Sequence, residues 1–535
     1  MTGFLEDASF NQSPAFGDVD LFSADRPLAE AAARCGLDTS ALAACGKDYG
    51  SAATLDLGRV ANENPPKLRI MDGKGNRIDF VEFHPAYHAL MAKSIGWGIH
   101  SGAHDGSEPT SPMASRAMRL YLATQAESGH ICPITMTNAC IGALKSEPEL
   151  LAKWRTKILS REYDPRPLPW WEKKGVTLGM GMTERQGGTD VRANITEARG
   201  AGHHAEISGH KWFMSAPMCD AFLVLAQAAG GLTCYLMPRY RPDGSQNTLR
   251  FLRLKDKLGN KSNASSEVEF HGAWAERVGV EGAGVRTIIE MVNLTRLDCA
   301  IASAGQMRFG LSQALHHTRN RSVFQKRLAD QPSMRAVLAD VALELEAQVA
   351  LVFRLAQAID KGETAYTRLL MPAVKFLICK STPQVVYETL ECLGGNGYTE
   401  DLPMARLYRE APLNAIWEGS GNVMALDVLR AAGRAPEAAM ETVGALVRTA
   451  SQAFDVRPLA VALEKTLKSP DAERRARFLC EGLARLAALA ALAEANSPFA
   501  TLYGDARLTG FHFSQFGAAD LGASDTALMD RALAA

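Results

Sequence analysis

The sequence predicts a mainly α chain with a central antiparallel β-domain and an additional helical domain at its C-terminal end. Three observations carry that reading. Apolar residues recur at three- and four-residue spacing up to residue 178 and again after Gly284, the stretch between switches to short β-prone runs, and the residues from 438 onward are rich in alanine.

Each element follows from that change of period. Residues 1–178 are expected to form a helical domain, with segments such as Pro85 to Ser94 and Ala114 to Ser128 separated by connectors at Pro65-Pro66 and Pro165 to Pro169. Residues 179–286 are expected to form the β-domain, an antiparallel sheet or small barrel. Its runs are Ala221 to Ala226, Thr233 to Met237, Leu249 to Leu254 and Glu267 to Phe270, with turns at Gly230-Gly231 and Asp243-Gly244. Residues 287–437 read as a helical bundle, in which Leu338, Val341, Leu345, Val349, Val352 and Ile359 follow helical steps. Residues 438–535 read as a further helical domain without a catalytic cluster.

At 535 residues the chain holds three or four domains or layers of about 100 to 150 residues. A hydrophobic fraction of 47% beside 22% charged residues excludes large-scale disorder. The net charge of -1 gives no long-range attraction to polyanions, so any nucleic-acid contact must come from a local patch. Ten cysteines without a C-x-x-C pair or zinc-type spacing read as buried thiols in a reducing compartment. The acidic start lacks the basic and apolar regions of a signal peptide and no long uncharged apolar window follows, so a cytoplasmic, soluble protein with no membrane contact is expected. His316-His317 point to different helix faces and read as packing or polar surface, not as a metal site.

The sharpest local signal is Gly179-Met-Gly-Met-Thr-Glu-Arg-Gln-Gly-Gly-Thr-Asp-Val191. Glycines let the backbone approach a ligand closely, and the hydroxyls of Thr183 and Thr189 can bond a polar cofactor. The same composition also fits a simple tight turn. It is neither the G-x-G-x-x-G of a dinucleotide fold nor a P-loop, which disfavours a Rossmann enzyme.

Three later segments give the loop its context: Gly209-His-Lys-Trp-Phe-Met-Ser215, Cys392-Leu-Gly-Gly-Asn-Gly-Tyr398 and Tyr408-Arg-Glu-Ala-Pro-Leu-Asn-Ala-Ile-Trp-Glu-Gly-Ser-Gly-Asn-Val423. In this order and at these separations the four resemble the acyl-CoA dehydrogenase superfamily, between about residues 80 and 430. The resemblance implies an acyl-CoA dehydrogenase-like fold, FAD held between subunits, and a homotetramer. It also implies oxidation of a CH-CH bond in an acyl thioester or related substrate, with electrons passed to an electron-transfer flavoprotein or oxygen.

Carried over by position, Met182, Thr183, Gly188 and Thr189 line the flavin and the acyl channel, and Phe213, Met214 and Ser215 lie against the isoalloxazine. Phe213 stands where the family usually has Trp, with Trp212 beside it. Arg321, Phe324 and Gln331 resemble the element that reaches FAD in a neighbouring subunit, a role suited to a guanidinium's planar fork, and Gln325 replaces the usual Gly. Gly394, Gly395 and Gly397 resemble the partner turn that approaches the cofactor, although a glycine-rich helix stop would look the same in isolation.

Glu418 matches the general base that removes the α-proton as flavin N5 takes the β-hydride, and desolvation beside Trp417 would move such a carboxyl toward the working pH. Gly419, Ser420 and Asn422 follow in cofactor-contacting positions. Arg296 lies where a helix of the family borders the base. Thr295 occupies the alternative position for the base, which leaves Glu418 as the candidate.

Gly58-Arg-Val-Ala-Asn-Glu-Asn-Pro-Pro66, Cys132-Pro-Ile-Thr-Met-Thr137 and Lys255-Asp-Lys-Leu-Gly-Asn-Lys-Ser-Asn-Ala264 resemble the AidB-like branch, the flavoproteins of the adaptive response to DNA alkylation. That branch implies weak dehydrogenase activity and double-stranded DNA bound through basic C-terminal surfaces. From residue 438 on, however, ten basic residues face eleven acidic ones. The one local patch is Arg474, Arg477 and Arg485 on a single predicted helix face, with Glu481 four residues from two of them, which reads as an ion-paired solvated face. Two functions follow: an FAD-dependent acyl-thioester dehydrogenase, or a DNA-associated protective flavoprotein whose redox chemistry is vestigial.

Overall fold

In the computed structural model, residues 11–200, 202–509 and 524–532 are described. Acidic caps and prolines start the first helices. The Asp25 carboxylate accepts from the Leu28 amide at the head of α1 (Arg26–Arg34), and Asp38 does the same for Ser40 in α2 (Thr39–Gly50). After α3 (Ala52–Glu63) the chain makes an antiparallel hairpin of β1 (Lys67–Met71) and β2 (Arg77–Glu82). This hairpin interrupts the helical expectation because Asp72 accepts from the amides of Lys74 and Asn76, closing a turn between two alternating runs.

Helices α4 (Pro85–Gly96), α5 (Pro112–Ala126), α6 (Ile131–Leu144) and α7 (Pro148–Ile158) follow. Nearly every residue of α5 and α6 is buried; α6 is apolar or small around most of its circumference, whereas α5 buries two arginines against carboxylates, Arg116 on Asp298 and Arg119 on Glu108.

The β-domain consists of β3 (Leu178–Gly181), β4 (Glu197–Arg199), β5 (His204–Ser215), β6 (Ala221–Ala228), β7 (Gly231–Pro238), β8 (Leu249–Leu254) and β9 (Ser265–Val278). The pairings β6–β4, β4–β5, β5–β9, β9–β7 and β7–β6 close a ring, with β3 added on β6 and β8 on β9. Most pairs are antiparallel, while β3 and β4 run parallel to β6. The continuous apolar run of β6 is buried over most of its length, and Met214 and Phe251 are buried with it.

Two compact units divide the chain: Ala53–Asp298, and the segment up to Ala52 together with Cys299 onward. Helix α8 (Gly284–Asn320) carries the chain from the first to the second. The second unit continues with the hairpin β10 (Ser322–Val323) and β11 (Lys326–Arg327), then α9 (Pro332–Asp360), α10 (Thr364–Glu391), α11 (Pro403–Glu410) and α12 (Gly421–Arg434). Alanine-rich helices complete it: α13 (Pro436–Ala450), α14 (Arg457–Leu467), α15 (Ala476–Glu494), α16 (Ala500–Leu508) and α17 (Asp525–Ala532).

The C-terminal helices dock on the bundle, since α15 packs against α9, α10 and α12. Its alanines allow that close approach. Buried carboxylates on α9 fix the register: Arg507 bonds Asp340 and Glu344 at 2.6 Å each, and Arg531 bonds Glu346 at 2.6 Å. All ten cysteines are buried thiols. Among the described residues no helix is long and apolar enough to cross a membrane, and no cluster of His, Cys, Asp or Glu has the makings of a metal site.

Candidate active site

The loop after β3 is built on one buried acid. Glu184 accepts from Lys211 Nζ at 2.7 Å, the Ile195 amide at 2.7 Å, the Thr196 amide at 3.2 Å and Gln186 Nε2 at 2.8 Å. Burial alone would push its carboxyl up, but the Lys211 ammonium and these donors outweigh it and hold the group down at about 2. Burial lowers Lys211 to about 8, with Glu184 opposing the shift. This pair ties the Gly179–Val191 loop to β5, joining two of the sequence motifs through residues whose pairing no local pattern reveals.

Around that anchor, Met182 O accepts from Asn194 Nδ2 at 3.0 Å and Thr183 O from the Trp212 amide at 2.8 Å. Gly188 is required by close approach, because a Cβ there would collide with the Thr183 side chain. Gly188 and Thr189 are exposed at the rim of the loop. Thr183 is thus brought against both Gly188 and the end of β5.

At the end of β5 the register against β9 skips between Lys211 and Met214, a bulge that re-aims the two aromatic residues inside it. Trp212 is covered by cations, with Lys255 Nζ 3.4 Å from its ring centre and Arg185 and Arg253 each at 5.8 Å. Phe213 keeps 49% of its surface exposed. Phe213, in place of the usual Trp, is thus the more open of the two rings, and Lys255 reaches both, its Nζ lying 4.7 Å from the Phe213 ring centre. Met214 is buried, and Ser215 Oγ lies 3.5 Å from Ser265 Oγ.

In the other unit, Glu418 sits in a turn before α12 with φ 58°, followed by Gly419 at φ 104°. A left-handed backbone costs a residue with a side chain about 1–2 kcal/mol, so the turn needs outside support. That support is Lys375 on α10, only 1% exposed, whose ammonium donates to Trp417 O at 2.8 Å and Gly419 O at 2.6 Å. A second tether runs from Trp417 Nε1 to Asn414 Oδ1 at 2.8 Å, and from Asn414 Nδ2 to Ser303 Oγ at 3.0 Å. The sequence motifs contain neither Lys375 nor Ser303, and Asn414 stands within the Tyr408–Val423 segment without a role legible there.

Phe324 and Gln325 form the two-residue turn of the β10–β11 hairpin, with φ 48° and 64°. Both central residues of a type I′ turn need positive φ, so Gln325 takes the conformation that the family's Gly would take. Phe324 is 93% exposed, and Gln331 Nε2 donates to Val323 O at 3.1 Å, bracing the hairpin. Arg321 donates to Asn11 O at 2.7 Å. Gly394 has φ 60°, and a Cβ on it or on Gly395 would meet nothing in this chain within 4 Å.

Ser420 precedes the first turn of α12 without a side-chain hydrogen bond to it, and Asn422 Oδ1 accepts from Arg477 Nε of α15 at 2.7 Å. Arg296 is buried on α8 and its Nη1 donates to Asn293 Oδ1 at 3.4 Å. Of the ion-paired face expected from Arg474, Arg477 and Arg485, the pairing of Arg485 with Glu481 forms, but the three arginines do not share one helix face. Arg474 precedes α15 in a short 3-10 turn, and Arg485 turns inward to Glu344 at 3.7 Å while also bonding Glu481 at 2.9 Å. His316 and His317 bond Pro14 O and Ser13 Oγ of the N-terminal segment.

Comparison with known proteins places these features. Residues 11–165 match the adaptive response protein AidB N-terminal domain, 179–273 the acyl-CoA dehydrogenase middle domain and 282–433 the acyl-CoA dehydrogenase C-terminal domain. AidB of Escherichia coli strain K12 is 48% identical over 429 residues, covering 79% of this chain and 79% of that protein. Acyl-CoA dehydrogenase family member 11 of Caenorhabditis elegans is 32% identical over 401 residues, 70% of this chain and 63% of its own length. The solved structure of Caenorhabditis elegans ACDH-11 in complex with C11-CoA has a TM-score of 0.83 at 26% identity, covering 98% of this chain and 92% of that one. The Bd2924 apo-form has a TM-score of 0.82 at 27% identity, covering 90% of this chain and 99% of that one. With 48% identity to AidB over most of both chains, this protein belongs to the acyl-CoA dehydrogenase superfamily and, within it, to the AidB-like branch.

Proposed function

We propose that this chain is an FAD-dependent oxidoreductase that oxidises the CH-CH bond of an acyl thioester or a related substrate, with Glu418 as the base that removes the α-proton. The observation that carries the reading is the Glu418 turn: a carboxylate held in a left-handed conformation between two clamped carbonyls. Strain of this kind persists only where surrounding structure over-determines it, and it concentrates at functional sites. The C11-CoA in the structure of the similar Caenorhabditis elegans protein supports an acyl-CoA as the substrate class.

The residues present fit FAD. Phe213 offers an open aromatic face, Gly188 and Thr183 bring backbone and hydroxyl into close approach, and Gly394-Gly395 leaves open space where a Cβ would lie. Bound FAD supplies the hydride acceptor. Within the protein, Met182, Thr183, Gly188, Thr189, Phe213, Met214 and Ser215 bind and orient the flavin end, while Arg321, Phe324, Gln331, Gly394, Gly395, Trp417, Gly419, Ser420 and Asn422 hold the remainder. Trp417 excludes water from the Glu418 carboxylate. Exposed Phe324 and Tyr398, at 93% and 83%, support contact with further copies of the chain in a homotetramer. Electrons pass on to an electron-transfer flavoprotein or oxygen in the cytoplasm.

The test is a visible spectrum followed by anaerobic mixing with a panel of acyl-CoA thioesters, with Glu418→Gln alongside. Bleaching of a flavin band in the wild type and not in the variant is expected. A yellow protein that no thioester reduces would overturn the dehydrogenase reading, and a protein unable to take up FAD would overturn the whole proposal.

The AidB match over residues 11–165 favours a second reading, a DNA-associated protein that protects against alkylation. Against it, Arg457, Lys468, Arg485, Arg507 and Arg531 are committed to carboxylates. No retardation of duplex DNA at low salt in a gel-shift assay would dispose of it.

A further inference from the structure

The geometry points to Lys375 as the residue that positions Glu418 for proton abstraction, an inference that rests on the dehydrogenase reading of the same turn. Its ammonium donates to Trp417 O and Gly419 O, the carbonyls on either side of residue 418. Two carbonyl dipoles brought to one point repel each other, and a cation between them turns that repulsion into attraction. The backbone at Glu418 and Gly419 can then stay at φ 58° and 104°.

Lys375 is buried and sits in the middle of α10, a helix packed against α9, α11, α12 and α15, so the clamp has a rigid base. One helical turn further along α10, Cys379 Sγ accepts from Ser303 Oγ at 3.4 Å. Ser303 Oγ in turn accepts from Asn414, whose Oδ1 holds the Trp417 indole. Helix α10 therefore grips the turn at two points, directly through Lys375 and indirectly through Trp417. Lys375 does not reach the reacting atoms in this account. It fixes where the carboxylate of Glu418 stands, and misplacement of a catalytic group by about 1 Å can cost on the order of a hundredfold in rate.

The experiment measures anaerobic flavin reduction by a saturating acyl-CoA thioester in the holoenzyme, with Lys375→Met and Lys375→Arg beside the wild type. Lys375→Met is expected to lower the limiting rate per bound flavin by about 10- to 100-fold with little change in half-saturation. Its crystal structure is expected to show residue 418 outside the left-handed region. Lys375→Arg keeps donors for both carbonyls and should recover most of the rate. A wild-type limiting rate in Lys375→Met, or an unmoved turn, overturns the positioning role while leaving the dehydrogenase reading intact. A wild type reduced by no thioester overturns both. Should Lys375→Met fail to fold, Lys375→Gln takes its place, since its amide carries no charge and is too short to hold both carbonyls. A severalfold lower limiting rate in Lys375→Gln supports the inference and an unchanged one overturns it.

Discussion

Lys211 and Lys375 are both buried ammonium groups beneath a loop that carries site residues, yet Lys211 meets a carboxylate and Lys375 meets two peptide carbonyls. Lys211 pairs with Glu184 at 2.7 Å inside the β-domain, where neither side chain has any exposed surface. Lys375 holds a turn of the helical unit through oxygens that do not titrate. The first device is an ion pair whose strength depends on protonation, and the second is a backbone clamp whose acceptors are the same at every working pH. Each suits its loop. Gly179–Val191 needs an anchor below a run of glycines, whereas the Glu418 turn needs its own backbone held in a costly conformation.

Removing the cation from the ion pair should have the largest effect on stability. Lys211→Met leaves Glu184 buried without its counter-charge and is expected to cost about 3–5 kcal/mol in urea unfolding. A loss below about 1 kcal/mol would mean that water or other donors replace the lysine, and the contrast between the two devices would lose its basis. Acid separates them next. The Glu184 carboxyl is held at about 2 against an ordinary value of 4.5, so its contribution is complete above pH 4.5 and is lost as pH falls through about 2. Exposure of Trp212, followed by fluorescence, should begin within that window, and Glu184→Gln should flatten the response.

These two devices also divide what could be read from the sequence. Lys211 lies inside a recognisable motif, and four of the β-runs were legible because their apolar residues continue or alternate over enough positions. β3 and β4 were not, being short and set among glycines and charges. The hairpin β1–β2 was hidden in a helical neighbourhood. Lys375 gave no signal, because nothing in its local pattern says that its ammonium turns toward carbonyls beyond the next helix. The left-handed backbone of Glu418 was equally silent, since a glutamate adopts it only under tertiary support. The face of Arg474, Arg477 and Arg485 failed for the same reason: helical geometry was extended past the start of α15 at Ala476, and buried Glu344 drew Arg485 inward.

Smaller effects test the strain itself. Measured against Glu418→Ala, which loses the same carboxylate but keeps a side chain at φ 58°, Glu418→Gly should be more stable by about 1 kcal/mol in thermal unfolding. No gain would mean that the turn is not strained. Gln325→Gly at φ 64° should add up to about 1 kcal/mol, with Phe324 left in place.

The most direct test of the central claim is the loss of the α-proton itself. With the purified holoprotein in D2O under anaerobic conditions, NMR of an acyl-CoA thioester that cannot be oxidised should show deuterium entering the α-carbon. Glu418→Gln should slow that exchange by about 10²–10⁴-fold with thioester binding retained. Exchange at the same rate in both proteins would contradict the assignment of Glu418 as the base.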